Sequence, residues 1–173
     1  MSEKYGYVQI NTGNGKGKTT AAFGTSLRML IRGKSVFFGQ FIKGTDTAEL
    51  AMPKHFPDFT IKQFGKGCFV GRKPDEEDIR MAHEGLKVAA EALKSGRYGL
   101  VVLDEVNVAV SVGLLTAAEV LDAVKNRAEG TEVIMTGRDA PSEFIEYADL
   151  VTEMKKVKHY LDEGISARKG IEY

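Results

Sequence analysis

The chain has 173 residues, and its 24 basic and 24 acidic side chains give a formal net charge of zero. That length suits a single domain, residues 1–173, burying about 70% of its unfolded surface, and the even charge argues against a broad nucleic-acid footprint. No apolar run reaches the roughly 18 residues of a membrane span, Met1-Ser2-Glu3-Lys4 lacks a signal peptide's apolar core, and the lone Cys68 cannot form an internal disulfide. A cytoplasmic globular protein with no nucleic-acid or membrane partner is expected.

The first strand is predicted over 7–11, and it opens into Thr12-Gly13-Asn14-Gly15-Lys16-Gly17-Lys18-Thr19-Thr20. Glycines let successive backbone N–H groups turn toward one anion, and a following helix adds its positive dipole end. In such a cradle Lys18 reaches the phosphates and the Thr19 hydroxyl ligates Mg²⁺. The usual pattern G-x-x-x-x-G-K-[ST] would put its first glycine on Thr12, so this loop departs from it by one residue and carries an extra Lys16. A helix over 18–32 follows, with Phe23, Leu27, Leu30 and Ile31 as its predicted inner stripe and Gly24 read as a place of close packing.

Further strands are predicted at 35–41, 59–64, 100–103, 132–136 and 150–153. Val101-Val102-Leu103 and Val133-Ile134-Met135 are continuous rather than alternating, as in strands covered on both faces. Strands alternating with helical patterns imply an α/β fold, a mainly parallel P-loop sheet of the RecA-like kind with helices on both faces. Helices are expected over 76–94, following Pro74 and opening with the acidic run Asp75-Glu76-Glu77-Asp78, from the capping-box pattern Thr116-Ala117-Ala118-Glu119 to about 126, and over 142–147. The inner face of the first of these reads as Ile79, Ala82, Leu86, Ala89, Ala90 and Leu93. The stretches 43–57 and 65–73 resist regular assignment. Each follows a strand, where open α/β sheets bind ligands.

Leu100-Val101-Val102-Leu103 ends in Asp104-Glu105, a second nucleotide signature. In P-loop folds such a strand lies beside the cradle strand and delivers an acid to Mg²⁺. Neighbouring residues on an extended chain point to opposite sides, so one acid can serve the metal while the other orders the loop. The cradle and acids point to MgATP without fixing the bond broken. Attack at phosphorus gives a RecA-like ATPase or a small-molecule kinase, attack at the ribose 5′-carbon expels the whole triphosphate, and a nucleotide-sensing module breaks neither.

Several segments in order resemble the ATP:corrinoid adenosyltransferases of the cob(I)yrinic acid a,c-diamide adenosyltransferase family. They are Gly13 through Gly24, Gln40-Phe41-Ile42-Lys43-Gly44, Leu103-Asp104-Glu105, Thr136-Gly137-Arg138, Ala148 through Met154 and the tail pieces Lys158-His159, Gly164-Ile165 and Gly170-Ile171-Glu172. The resemblance implies transfer of the 5′-deoxyadenosyl group of ATP to the Co(I) of a reduced corrinoid, with release of triphosphate, in adenosylcobalamin biosynthesis or salvage. It implies ATP contacts from Gly13, Asn14, Gly15, Lys16, Gly17, Lys18, Thr19, Thr20 and Arg28, with Mg²⁺ (or Mn²⁺) held by Thr19, Glu105 and Asp104. It also implies a homodimer, a reductase or flavodoxin-like electron donor, and a tail, 155–173, ordered over the site. Relatives place aromatic residues in the loop after the third strand to help the corrinoid lose its lower axial ligand. Here the segment is Gly67-Cys68-Phe69-Val70 and the chain has no Trp, a departure from that pattern. Phe69, with Phe64, could substitute, the alternative being that Phe69 anchors the loop as a core contact. Co(I) is a strong nucleophile, consistent with a sequence that offers no Ser/His/Asp set.

Overall fold

The computed structural model describes residues 6–67 and 73–172. Six strands form one sheet: β1 Val8–Thr12, β2 Val36–Gln40, β3 Phe59–Gln63, β4 Leu100–Asp104, β5 Glu132–Thr136 and β6 Leu150–Glu153. Every pairing is parallel, and the order across the sheet is β3-β2-β4-β5-β1-β6. The helices are α1 Lys18–Ile31, α2 Met52–His55, α3 Glu76–Lys94, α4 Val106–Ser111, α5 Ala117–Lys125 and α6 Ser142–Tyr147.

Side-chain alternation splits the core into two layers. Val36, Phe38, Leu100, Val102 and Ile134 face α1, where they pack with Ala22 and Phe59. Phe37, Val101, Leu103, Val133 and Met135 face the other way, onto α3 to α6 through Leu86, Leu93, Val106, Val120 and Phe144. Each central strand is therefore apolar on both sides, which is why the sequence shows runs rather than alternation.

Several expectations need correction. The buried face of α1 is Ala22 and Ser26, while Leu27 is 39% and Ile31 72% exposed. Of the expected stripe, Phe23 and Leu30 do pack on the sheet layer, Phe23 stacked on Phe38 with ring centroids 4.1 Å apart, while Leu27 and Ile31 point outward. Gly24 has nothing within 4 Å of where a Cβ would stand, so it is not a packing glycine. On α3 Ile79 turns to solvent, and Gly85 and Ala92 join the inner face. A Cβ on Gly85 would stand 2.4 Å from the Phe64 ring, so this glycine is the seat of Phe64, which also packs on Phe41. Part of 43–57 is regular after all: a 3₁₀ turn at Ala48–Ala51 runs into α2. The short α4 escaped notice because it is a single run of six residues directly after the acids.

β4 is not beside β1, because β5 lies between them. That insertion matters for the site, since it places the end of a third strand between the cradle and the acids.

Candidate active site

The three central strands end in polar side chains that share the α1 side of the sheet. Gln40 stands in register with Asp104, and Gln63 with Gln40. Residue by residue the apolar positions Val36 and Phe38, Leu100 and Val102, and Ile134 lead to Gln40, Asp104 and Thr136 by steps of two. A polar row results. Gln63 Nε2 donates to Gln40 Oε1 at 3.0 Å, and Gln40 Nε2 to Asp104 Oδ2 at 3.3 Å. The Thr136 hydroxyl donates to Asp104 Oδ1 at 2.7 Å, and the Thr19 hydroxyl to the same oxygen at 2.8 Å. Asp104 is fully buried, and these donors hold its charge in place of water. The inserted strand β5 thus supplies the bridge, and Thr136 also accepts from the Glu105 N–H at 3.0 Å.

Glu105 has a left-handed backbone, φ 60°, unusual for a residue with a Cβ. The turn sends its side chain into the cleft while Asp104 stays beneath Thr19. Burial, reinforced by the charge of Asp104, pushes the Glu105 carboxyl above its usual range. Lys18 is displaced in the opposite sense. Burial lowers its ammonium pKa, against the pull of Glu105. Its Nζ donates to Gly15 O at 2.7 Å, closing the cradle on itself.

The N-terminus of α1 is prepared for an anion. Gly17, with φ 112°, caps it without a side chain, and the first turn contains no acid. By contrast α3 and α5 are closed by capping boxes at Asp75 and Thr116, with acids in their first turns. Among the three longest helices described, α1 is the one whose positive dipole end is left open for a ligand.

Two cradle glycines answer to a second constraint. A Cβ on Gly13 would lie 2.5 Å from Met154 O, and one on Gly15 2.7 Å from the same atom. Gly15 N–H donates to Met154 O at 2.6 Å, and Lys156 N–H to Asn14 Oδ1 at 2.9 Å. The loop therefore rests against the segment leaving β6. Thr12, where the usual pattern has glycine, is buried and accepts from Ala140 N–H at 3.3 Å.

Around this cradle lies a cleft of about 490 Å³. Asn14, Gly15, Lys16, Gly17, Lys18, Thr19, Thr20 and Glu105 all line it, with Phe23 beside them. The loop 43–57 lines the cleft as expected, through Lys43, Ala48 and Glu49, though sequence reasoning singled out none of these side chains, nor Arg138, as site residues. Lys43 Nζ stands 3.7 Å from both Glu49 Oε1 and Asp104 Oδ2, tying the loop after β2 to the buried acid. Lys43 and Arg138 each sit just past a strand end, a signal available from the sequence. Tail residues His159, Tyr160, Leu161, Ile165 and Ile171 form the opposite wall. Arg28 is not brought here. It lies in the last turn of α1, exposed, ten residues from Lys18 and so about 15 Å along the helix. Phe69 lies outside the described residues, and Phe64 is committed to its seat on Gly85.

Residues 4–173 match the family described as ATP:corrinoid adenosyltransferase BtuR/CobO/CobP. The chain belongs to this family. The corrinoid adenosyltransferase of Pseudomonas aeruginosa is 40% identical over 173 residues, covering 99% of this chain and 85% of that protein. That of Escherichia coli K12 is 36% identical, with 99% and 87% covered. Corrinoid adenosyltransferase CobA of Salmonella typhimurium is also 36% identical, with the same coverage. Family membership favours adenosyl transfer over the ATPase and kinase readings. Among the described residues no helix is long and apolar enough to cross a membrane.

Proposed function

We propose that this single domain holds ATP by its triphosphate in the α1 cradle and presents the ribose 5′-carbon to the Co(I) of a reduced corrinoid in the same cleft. The cobalt electron pair forms the Co–C bond as the C5′–O bond breaks, and triphosphate leaves whole. The observation that carries this reading is the uncapped, acid-free N-terminus of α1, with Lys16 and Lys18 on its loop.

Each residue then has a task. Cradle amides, Lys16 and Lys18 hold charge that grows on the leaving group, which is where preorganised donors contribute most. Thr20 and Asn14 complete the loop contacts. The tail wall keeps water from the reacting carbon. No side chain has to remove a proton, because the nucleophile is the metal of the substrate.

Thr19, Asp104 and Glu105 would hold Mg²⁺ or Mn²⁺. Their donors are all oxygen, as these hard ions require. Among the described residues no cluster of three or more His, Cys, Asp or Glu forms a cage. When bound, such an ion neutralises phosphate charge. Phe69 would act on the corrinoid's lower axial ligand, and a reductase or flavodoxin-like donor would supply Co(I). A homodimer and a cytoplasmic setting belong to the same reading.

The test is spectroscopic. Protein, MgATP and chemically reduced cobalamin should yield a light-sensitive cobalt–carbon species, and Lys18→Ala should slow its appearance. A cobalamin spectrum indifferent to ATP would defeat the assignment.

A further inference from the structure

One carboxylate in the tail sits between two cations. Glu172 Oε1 lies 3.0 Å from Lys16 Nζ, in the cradle loop, and 3.1 Å from Arg168 Nη2, in the tail. Lys16 Nζ also donates to Ile171 O at 3.3 Å. Arg168 does not depend on Glu172 alone for its position. Its guanidinium lies over the Tyr160 ring, 4.5 Å from the centroid, and Lys16 approaches that ring at 5.9 Å. The tail before this point is fastened separately, through Met154 and Lys156 to the loop backbone and Asn14, and through Lys156 to Asp162 at 3.0 Å.

We infer that Lys16 and Arg168 form an anion site for the outer phosphate of the triphosphate group, and that Glu172 is its internal place-holder. This rests on the reading that the cradle takes triphosphate. A carboxylate touching both cations marks where an anionic oxygen is stabilised, and a phosphate offers more charge and three acceptors. Arriving phosphate takes over both cations and releases the last residues of the tail, 169–172, while His159, Tyr160, Leu161 and Ile165 stay as the wall. Because the ring of Tyr160, itself a cleft residue, holds Arg168 on the same side chain that Lys16 approaches, the second cation stays to meet it. Glu172 remains charged to low pH, its carboxyl held at about 2, chiefly by Arg168. The latch therefore opens by exchange with another anion across the neutral range.

Inorganic triphosphate titrated calorimetrically into the full chain, with Mg²⁺ at fixed ionic strength, tests this. Removing the competitor in Glu172→Gln should tighten binding roughly threefold, the scale of an exposed ion pair. Arg168→Gln should weaken it by about the same factor, with Arg168→Lys in between. Hydrogen exchange over 169–172 should rise when triphosphate is added to the native chain and already be high in Glu172→Gln. Unchanged or weaker binding by Glu172→Gln, or unchanged binding by Arg168→Gln, overturns the inference. Binding that ignores Lys18→Ala would instead sink the cradle reading beneath it. Binding that needs Lys18 but is equal in all tail variants sinks only the place-holder.

Discussion

Thr19 and Asp104 are joined by a 2.8 Å hydrogen bond between the first turn of α1 and the last residue of β4, two strands from the cradle strand. The bond makes the phosphate loop and the buried acid one unit. It also fixes the side of the sheet on which the chemistry must lie.

Asp104 is the hub of that unit, so its substitutions should separate charge from packing. Asp104→Ala strands the donors of Thr19, Thr136 and Gln40 in a dry site and should cost about 2–3 kcal/mol in urea denaturation. Asp104→Asn keeps an acceptor and should stay within about 1 kcal/mol of the parent, while adenosylation falls by about a hundredfold if the carboxylate helps hold the cation. Parallel losses of stability and rate in both variants would reduce Asp104 to a structural residue.

Lys18→Ala removes a buried ammonium whose hydrogen bond, among the described residues, goes to Gly15 O. Its melting temperature should hardly move, yet the rate should fall by about 3 kcal/mol of transition-state stabilisation. Steady-state kinetics decides this, and a near-normal rate counts against the grip on the leaving group.

Gly15→Ala tests the contact between cradle and β6. The new methyl would meet Met154 O at 2.7 Å and the Lys155 backbone at 2.9 Å, so the segment after β6 must shift. We expect a loss of about 2 kcal/mol, read by thermal or urea denaturation, with looser tail exchange. A neutral substitution would mean that the loop does not rest there in solution.

The pH dependence has a definite sign. Glu105 has its carboxyl pKa raised by burial and by Asp104. Between the ordinary value of 4.5 and the raised one, the folded state holds a proton that the unfolded chain lacks. The contribution of Glu105 to stability is therefore complete below 4.5 and lost as pH rises through the folded value. Glu105→Gln should then stabilise the nucleotide-free protein at pH 8 in EDTA relative to the parent, and less so near pH 4.5. An equal effect at both pH values would contradict the desolvated carboxyl. Lys18 moves the other way: as pH rises its ammonium loses its proton before the usual 10.5 is reached, so triphosphate affinity in a calorimetric titration should already be falling with rising pH short of that value.

Much of this was legible in the chain because the signals are local. The strand runs, the Thr116 capping box and the glycine–lysine loop need no distant partner to be recognised. The α1 face was half misread: Phe23 and Leu30 pack on the sheet as expected, but the buried Ala22 and Ser26 were missed because periodicity finds large apolar residues. Gln40 and Thr136 escaped as site residues since their meaning depends on strand order. Only β5 between β4 and β1 brings Thr136 to Asp104. Gly13 and Gly15 were read as anion donors alone, and the Met154 backbone against them was invisible without the fold. Arg28 was placed by resemblance, and ten residues of helix carry it away from the cleft of its own chain.

The central claim is that carbon, not phosphorus, is attacked. Phosphorus NMR of the products, with MgATP and Co(I) corrinoid consumed together, tests it most directly. The account predicts one intact inorganic triphosphate for each cobalt alkylated. Orthophosphate with ADP, and cobalt left without a carbon ligand, would contradict it.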